Sequence, residues 1–234
     1  GIPSIVLMER AALAVAEAVR EDFPLPHEKC AASSVAGYDS RGTAPKGRDA
    51  VRVAVIAGKG NNGADAVAAG RILLDSGYDV EFFAAGIAAG SGEFSSMGIQ
   101  CRILKAYGKS LRPVREGGER CLPEEFCPDA VIDGLFGTGL SREVRGEAAA
   151  AIGVIRDLHT RGTRVYAVDI PSGISASTGE VLGTAVQADV TVTFSFYKRG
   201  HFLYPGCSFC GRVLRREIGI TERAFAGEAQ ENNA

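Results

Sequence analysis

From Val51 onward the sequence repeats one pattern, a short and nearly unbroken apolar run followed by a stretch with helical spacing. The runs are "VRVAVIAG", "DVEFFAAG", "DAVIDGLFG", "RVYAVDI" and "VTVTF". The helical stretches are "ADAVAAGRILLDSG", a weaker one after "DVEFFAAG", and "RGEAAAAIGVIRDLHTRG". Strands that are apolar along their whole length must be buried on both faces, and helical crossovers between parallel strands supply that cover. The pattern therefore predicts an α/β fold, a Rossmann-like three-layer α/β/α sandwich with a mostly parallel central sheet. "GRVLRREIGI" reads as a last strand at an edge. Ahead of the first strand, "IVLMERAALAVAEAVR" reads as a helix with Ser4 as its N-cap, closed by Pro24 and Pro26. The polar stretch "SSVAGYDSRGTAPKGRD" between them reads as a surface loop.

With 234 residues, 46% of them hydrophobic, the chain can bury one substantial core. Residues 1–220 are expected to form one domain and 221–234 a tail or the start of a linker. A formal charge of -2 supplies no general field for nucleic acid or anionic lipid, so neither is expected as a partner, and any anionic ligand must be held locally. The six cysteines are scattered, which favours a reduced, cytoplasmic protein over a disulfide scaffold. Cys207 and Cys210 form the one close pair and read as small apolar residues beside a turn. No run is long enough to span a bilayer. The chain starts at Gly1 rather than Met, which is read as trimming or processing and leaves room for a lost targeting segment.

Ligands of open parallel sheets bind beyond the carboxyl ends of the strands, so the residues that directly follow each apolar run carry the information. Here they are polar. The first strand is followed by "GKGNNGAD", a middle one by Asp133 and then Gly137-Thr138-Gly139-Leu140, the next by Asp169 and Pro171-Ser172-Gly173, and "VTVTF" by Lys198. Each alone is ordinary turn chemistry or a solvated charge. The right-handed crossover rule brings all four to one edge of one sheet, where coincidence is a poor account. The glycine turn opens a helix whose free N–H groups and dipole suit a phosphate. Asn61 and Asn62 add neutral oxygen acceptors, which beside carboxylates suit either sugar hydroxyls or a weakly held hard cation.

Together these residues resemble the YjeF N-terminal domain family, the NAD(P)H-hydrate epimerases. The resemblance runs through "GIPSIVLMERAA", "VAVIAGKGNNGADAV", "DAVIDGLFGTGLSREVRG" and "VDIPSGISASTGEVLGTAVQADVTVTFSFYKRGHFLYPG" to "IGI", and leaves out residues 27–49 and 86–126. It implies epimerisation of hydrated NADH and NADPH at the hydrated ring carbon, so that an ATP- or ADP-dependent dehydratase, fused or separate, can use the S form. It further implies that Asn61, Asn62, Gly63, Ala64, Asp65, Asp169 and the stretch Gly137, Thr138, Gly139, Leu140, Ser141, Arg142, Glu143 line the nucleotide. A potassium ion is implied near Asn62, Asp133 and Ser172, and a homodimer as the assembly. Where the family reads GNNGGDG, this chain carries Ala64 and Ala66, and a methyl group there costs affinity if either position needs positive φ or close approach to phosphate.

Epimerisation beside a ring nitrogen can proceed by loss of water to an iminium and readdition on the opposite face, which needs a proton carrier and a setting that tolerates positive charge. Asp169 is the expected carrier and Lys198 the orienting or proton-supplying group. Two other readings stand beside this one: a non-catalytic module of the same family, and a conventional NAD(P)-dependent oxidoreductase. The second would use an acid near the end of the second strand, where Glu81 is the nearest.

Overall fold

The computed structural model describes residues 2–25, 50–86, 95–116 and 126–220. The loop expected over 33–49 and the tail over 221–234 lie outside them. Helix α1 spans Ser4–Asp22, and then β1 (Arg52–Ala57), α2 (Asn61–Asp75), β2 (Asp79–Ala84), α3 (Ser96–Ala106), β3 (Arg112–Pro113), β4 (Ala130–Gly134), α4 (Gly146–Thr160), β5 (Arg164–Val168), β6 (Val190–Phe194) and β7 (Arg212–Arg216) follow. Among the described residues the seven strands form one sheet in the order β3-β2-β1-β4-β5-β6-β7. Every pairing in it is parallel. This is the Rossmann-like sandwich that the apolar runs predict, with "GRVLRREIGI" supplying β7 at the edge.

Alternate strand residues feed two cores. Val53, Val55 and Ala57 of β1, with Ile132, Tyr166 and Val168, face Met8, Val15 and Val19 of α1 and Val67 and Leu73 of α2. Ala54 and Ile56, with Val131, Val165 and Ala167, face Ala151, Ile152, Ile155 and Leu158 of α4. Because α2 leaves β1 toward one face and α4 follows β4 on the other, a crevice opens beyond the carboxyl ends of β1 and β4. That switch point is where sheets of this order bind their ligands.

Two local expectations change. Ser4 is the first helical residue of α1 rather than its cap, because Pro3 holds the cap position at φ -58 and ψ 140 and its carbonyl accepts from Val6 at 3.0 Å. Strand β3 escaped sequence reading because it is two residues long and ends in Pro113, which cannot donate to a further strand and so blunts the sheet edge. The weak helical stretch is α3, capped by Ser95, whose hydroxyl accepts from Gly98 N–H at 3.0 Å.

The C-terminus of α1 is tied to the sheet through Asp22. Its carboxylate accepts from the buried Tyr166 hydroxyl at 2.6 Å and pairs with Arg164 at 3.2 Å and Arg212 at 3.7 Å. Burial first, and then the Asp22 carboxylate, keeps the phenol protonated far above its ordinary range. Tyr166→Phe removes one hydrogen bond to a charged acceptor and should lower unfolding stability by about 1.5–3 kcal/mol. An unchanged denaturant midpoint would contradict the tie.

Candidate active site

The site begins with three glycines that let β1, β4 and the start of α2 approach each other. A Cβ on Gly58 would lie 2.1 Å from Leu135 O, one on Gly63 1.9 Å from Gly58 O, and one on Gly134 2.3 Å from Ala66 Cβ. Gly58 N–H donates to Gly134 O at 3.0 Å across the junction. Gly60 differs, since a Cβ there would meet nothing within 4 Å. It faces open space at the mouth of α2, where a ligand could come close to the backbone. Ala64 and Ala66, the departures from the family's glycines, are buried inside α2, and neither has positive φ. A methyl group suits a helical position, so neither alanine distorts the turn.

Near the carboxyl end of β4, Asp133 is the strand's fourth residue, fully buried and held by neutral donors. Oδ1 accepts from the Ser172 hydroxyl at 2.6 Å and from Leu135 N–H at 3.2 Å, and Oδ2 accepts from Ser172 N–H at 2.8 Å. Burial pushes its pKa up to about 6, against the pull of those donors. Ser172 Oγ also accepts from Phe136 N–H at 2.9 Å. Gly137 lies against the carboxamide of Asn62, where a Cβ would sit 3.0 Å from Oδ1. Nδ2 of Asn62 is buried with no partner among the described residues. The structure thus gathers Asn62, Asp133, Ser172 and Gly137 in one place. Along the same loop Leu140 N–H bonds Gly137 O at 3.3 Å, whereas Thr138, Gly139, Ser141, Arg142 and Glu143 are exposed and Glu143 pairs with Arg145 at 2.7 Å.

At the ends of β5 and β6 stands a second cluster. Asp169 adopts φ 68, a left-handed conformation, and its N–H donates to Val192 O at 2.8 Å. Its Oδ1 accepts from Lys198 Nζ and from Thr193 Oγ at 3.1 Å, while Lys198 Nζ also donates to Thr193 Oγ at 2.8 Å. Carboxylate, hydroxyl and ammonium thus form a closed triangle with little solvent access. Asp65, one turn into α2, faces the same charge. Burial chiefly, and the Asp169 carboxylate second, raise its pKa to about 8, so at neutral pH it is mostly a neutral acid. Asn61 at the helix start is exposed.

Sequence reading placed Asp65, Asp133, Asp169, Ser172 and Lys198 at the sheet edge but passed over Thr193 and His201. Thr193 was legible in the alternation "VTVTF", whose threonines must share one face of β6. Glu81 is committed elsewhere, to Lys109 and Arg112, each at 3.1 Å, so it does not serve as the ribose acceptor of a dehydrogenase.

A family model described as "YjeF-related protein N-terminus" matches residues 4–200. The chain belongs to that family. It is 35% identical over 214 residues to the NAD(P)H-hydrate epimerase of Limosilactobacillus fermentum, covering 92% of this chain and 86% of that protein. It is 35% identical over 237 residues to the protein of the same name from Weissella koreensis, covering 99% and 90%. A "Bifunctional NAD(P)H-hydrate repair enzyme Nnr" of Thermofilum pendens is 40% identical over 173 residues, but they make up only 31% of that longer protein. Among solved structures, the crystal structure of yeast ynu0 superposes with a TM-score of 0.68 over 97% of this chain and 84% of its own, at 23% identity, and shares the fold.

The Asp65 carboxyl gives the site a pH signature. Its folded pKa of about 8 exceeds the ordinary 3.8, so the native state keeps a proton that the unfolded chain releases. That contribution is fully present below the ordinary value and is lost as pH rises toward about 8. Asp65→Asn cannot titrate, so its stability relative to the parent should grow from about pH 5 to about pH 9 in ligand-free denaturant titrations. A pH-independent difference would contradict the assignment.

Proposed function

We propose that this protein is an NAD(P)H-hydrate epimerase, with hydrated NADH and NADPH as substrates and a dehydratase, fused or separate, as the partner that uses the product. The names of relatives matching nearly the whole chain support it, and one observation in the site carries it. Two carboxyl groups meet at the sheet edge in different settings, Asp65 pushed toward its neutral form by burial and Asp169 engaged by Lys198 and Thr193. Groups whose environments separate their protonation states divide acid and base roles between them.

In this reading the nucleotide lies over the start of α2, its phosphates facing Gly60 and the free N–H groups there. Asn61, Asn62, Gly63, Ala64 and the stretch Gly137 to Glu143 form the lining. As the substrate loses its hydroxyl, the C–O electron pair leaves with oxygen, a proton from Asp65 converts it to water, and the ring nitrogen's lone pair closes the iminium. A second water adds on the opposite face, its electrons forming the new C–O bond and its proton passing to Asp169. The reverse epimerisation uses the same pair with roles exchanged, and solvent resets the protons between turnovers. Lys198 holds Asp169 in place and steadies its charge while it waits for that proton.

A potassium ion fits the cluster around Asp133. Asp133 is a buried carboxylate whose partners are all neutral, and Asn62 turns an unsatisfied amide into the same pocket, so a half-turn of that amide presents Oδ1 as a further oxygen ligand. Asn62, Asp133 and Ser172 would hold the ion, which when bound would supply positive charge for orienting the nucleotide. The homodimer belongs to this proposal too; Ile5, Val6 and Leu13 of α1 with Ile72 of α2 line an apolar groove suited to a second subunit. Residues 1–220 would be the epimerase unit and 221–234 its tail or linker. The cytoplasmic assignment rests on the free thiols of Cys101, Cys207 and Cys210. No helix among the described residues is long and apolar enough to cross a membrane.

Pure R-form hydrated NADPH should be converted to the equilibrium mixture by catalytic amounts of the protein, and conversion at the spontaneous rate would defeat the proposal. Asp169→Asn should retain nucleotide binding and lose about 10²- to 10⁴-fold in kcat, the usual contribution of an acid–base group. Replacing potassium by tetramethylammonium at constant ionic strength should reduce the rise in Tm that an NADP-type dinucleotide produces. An identical rise in both salts would remove the ion from the account.

A further inference from the structure

His201 has no role in the reading above, yet it is buried, 4% exposed, directly behind the Asp169–Lys198 pair. Its two ring nitrogens meet the two residues of that pair. Nε2 lies 2.9 Å from the backbone carbonyl of Asp169, and Nδ1 lies 3.1 Å from the backbone N–H of Lys198. A backbone N–H can only donate, so Nδ1 must accept and the ring proton must sit on Nε2, where it donates to Asp169 O. The ring is therefore neutral and held in one tautomer by main-chain groups.

We propose that His201 is a positioning residue that joins the backbone of Asp169 to the backbone of Lys198 and so sets the carboxylate–ammonium geometry on which epimerisation depends. The inference rests on the reading of Asp169 and Lys198 as the reacting pair. Asp169 stands at φ 68, where residues other than glycine persist only when their surroundings over-determine them. Its N–H is fixed by Val192 O at 2.8 Å, and the peptide plane after it is held at both ends, Ile170 N–H donating to Val168 O at 2.9 Å and Asp169 O accepting from His201 Nε2 at 2.9 Å, the one side-chain group on that plane among the described residues. The same ring orients the backbone of Lys198, the residue that caps the turn Arg199–His201 and whose side chain reaches back to Oδ1.

The ring is itself held in place. Tyr197 and Phe202 pack edge-on to it with centroids 6.4 Å away. Gly200, on the turn, donates its N–H to Ala176 O at 2.8 Å and sits so close to Ser175 that a Cβ would lie 2.4 Å from its carbonyl oxygen. The turn is pressed onto the loop after β5, which keeps His201 against Asp169. Burial, and to a lesser degree the Lys198 ammonium, hold the imidazole below its ordinary pKa, consistent with a neutral ring.

The experiment compares the full chain with His201→Gln and His201→Ala, well below the Tm of each. A glutamine amide can place a donor near the Nε2 position and restore the bond to Asp169 O, whereas alanine restores neither bond. His201→Ala should lose about 10²-fold in kcat with little change in KM, as for a displaced reacting group, and His201→Gln should recover part of that loss. Side-chain nitrogen NMR of the parent at neutral pH should show a protonated Nε2 and an unprotonated Nδ1. A kcat for His201→Ala equal to the parent's, or a ring protonated at Nδ1, would overturn the proposal. If alanine prevents folding, the glutamine variant and the spectrum decide. Should the parent itself fail to epimerise, the functional reading falls, while the nitrogen spectrum still tests the tautomer.

Discussion

The junction between β1 and β4 is the constraint on which the site depends. Backbone at Gly58, Gly63 and Gly134 runs too close for any side chain, with Cβ positions falling 1.9 to 2.3 Å from neighbouring atoms. That closeness brings the first turn of α2 over the end of the sheet and sets Asn62 against Gly137. With α2 on one face and α4 on the other, the strand order reverses at this junction and leaves the crevice open. A bulkier residue at any of the three would push the helix off the strand ends and carry Asn62 and Asp65 with it.

Three carboxyl groups gather at this edge, and burying each is costly unless it is compensated. Asp133 is met by neutral hydrogen bonds, Asp169 by an ammonium and a hydroxyl, and Asp65 keeps its proton. In the proposed mechanism these three solutions separate the roles. A buried carboxylate ringed by neutral donors suits a cation, a carboxylate locked to lysine suits a fixed base, and a neutral carboxyl suits proton donation. Between the polar strand ends the chain is committed to the cores, as at Val53 to Ala57 of β1, Ala130 to Ile132 of β4 and Val165 to Val168 of β5.

Much of this was legible in the sequence because strand and helix periods are local properties. Apolar runs marked five strands, and the polar residues just after them marked Asp133, Asp169, Ser172 and Lys198. The glycine spacing marked the turn, though not which glycines pack and which faces open space. What escaped was set by contacts between distant residues. The protonation of Asp65 depends on burial and on Asp169, more than a hundred residues away. Nothing local in "YKRGH" sets His201 apart, since only the fold brings it behind Asp169, and β3 is too short to carry a period.

In the proposed reaction this sheet edge epimerises its substrate by losing one water and adding another. Epimerisation of R-form hydrated NADPH in ¹⁸O-labelled water, followed by mass spectrometry of the S product at low conversion, tests it directly. The prediction is one solvent oxygen in each S molecule that the protein forms, because the water added on the second face is not the one expelled from the first. An S product formed at the enzymatic rate with its original oxygen would contradict the mechanism and the roles given to Asp65 and Asp169.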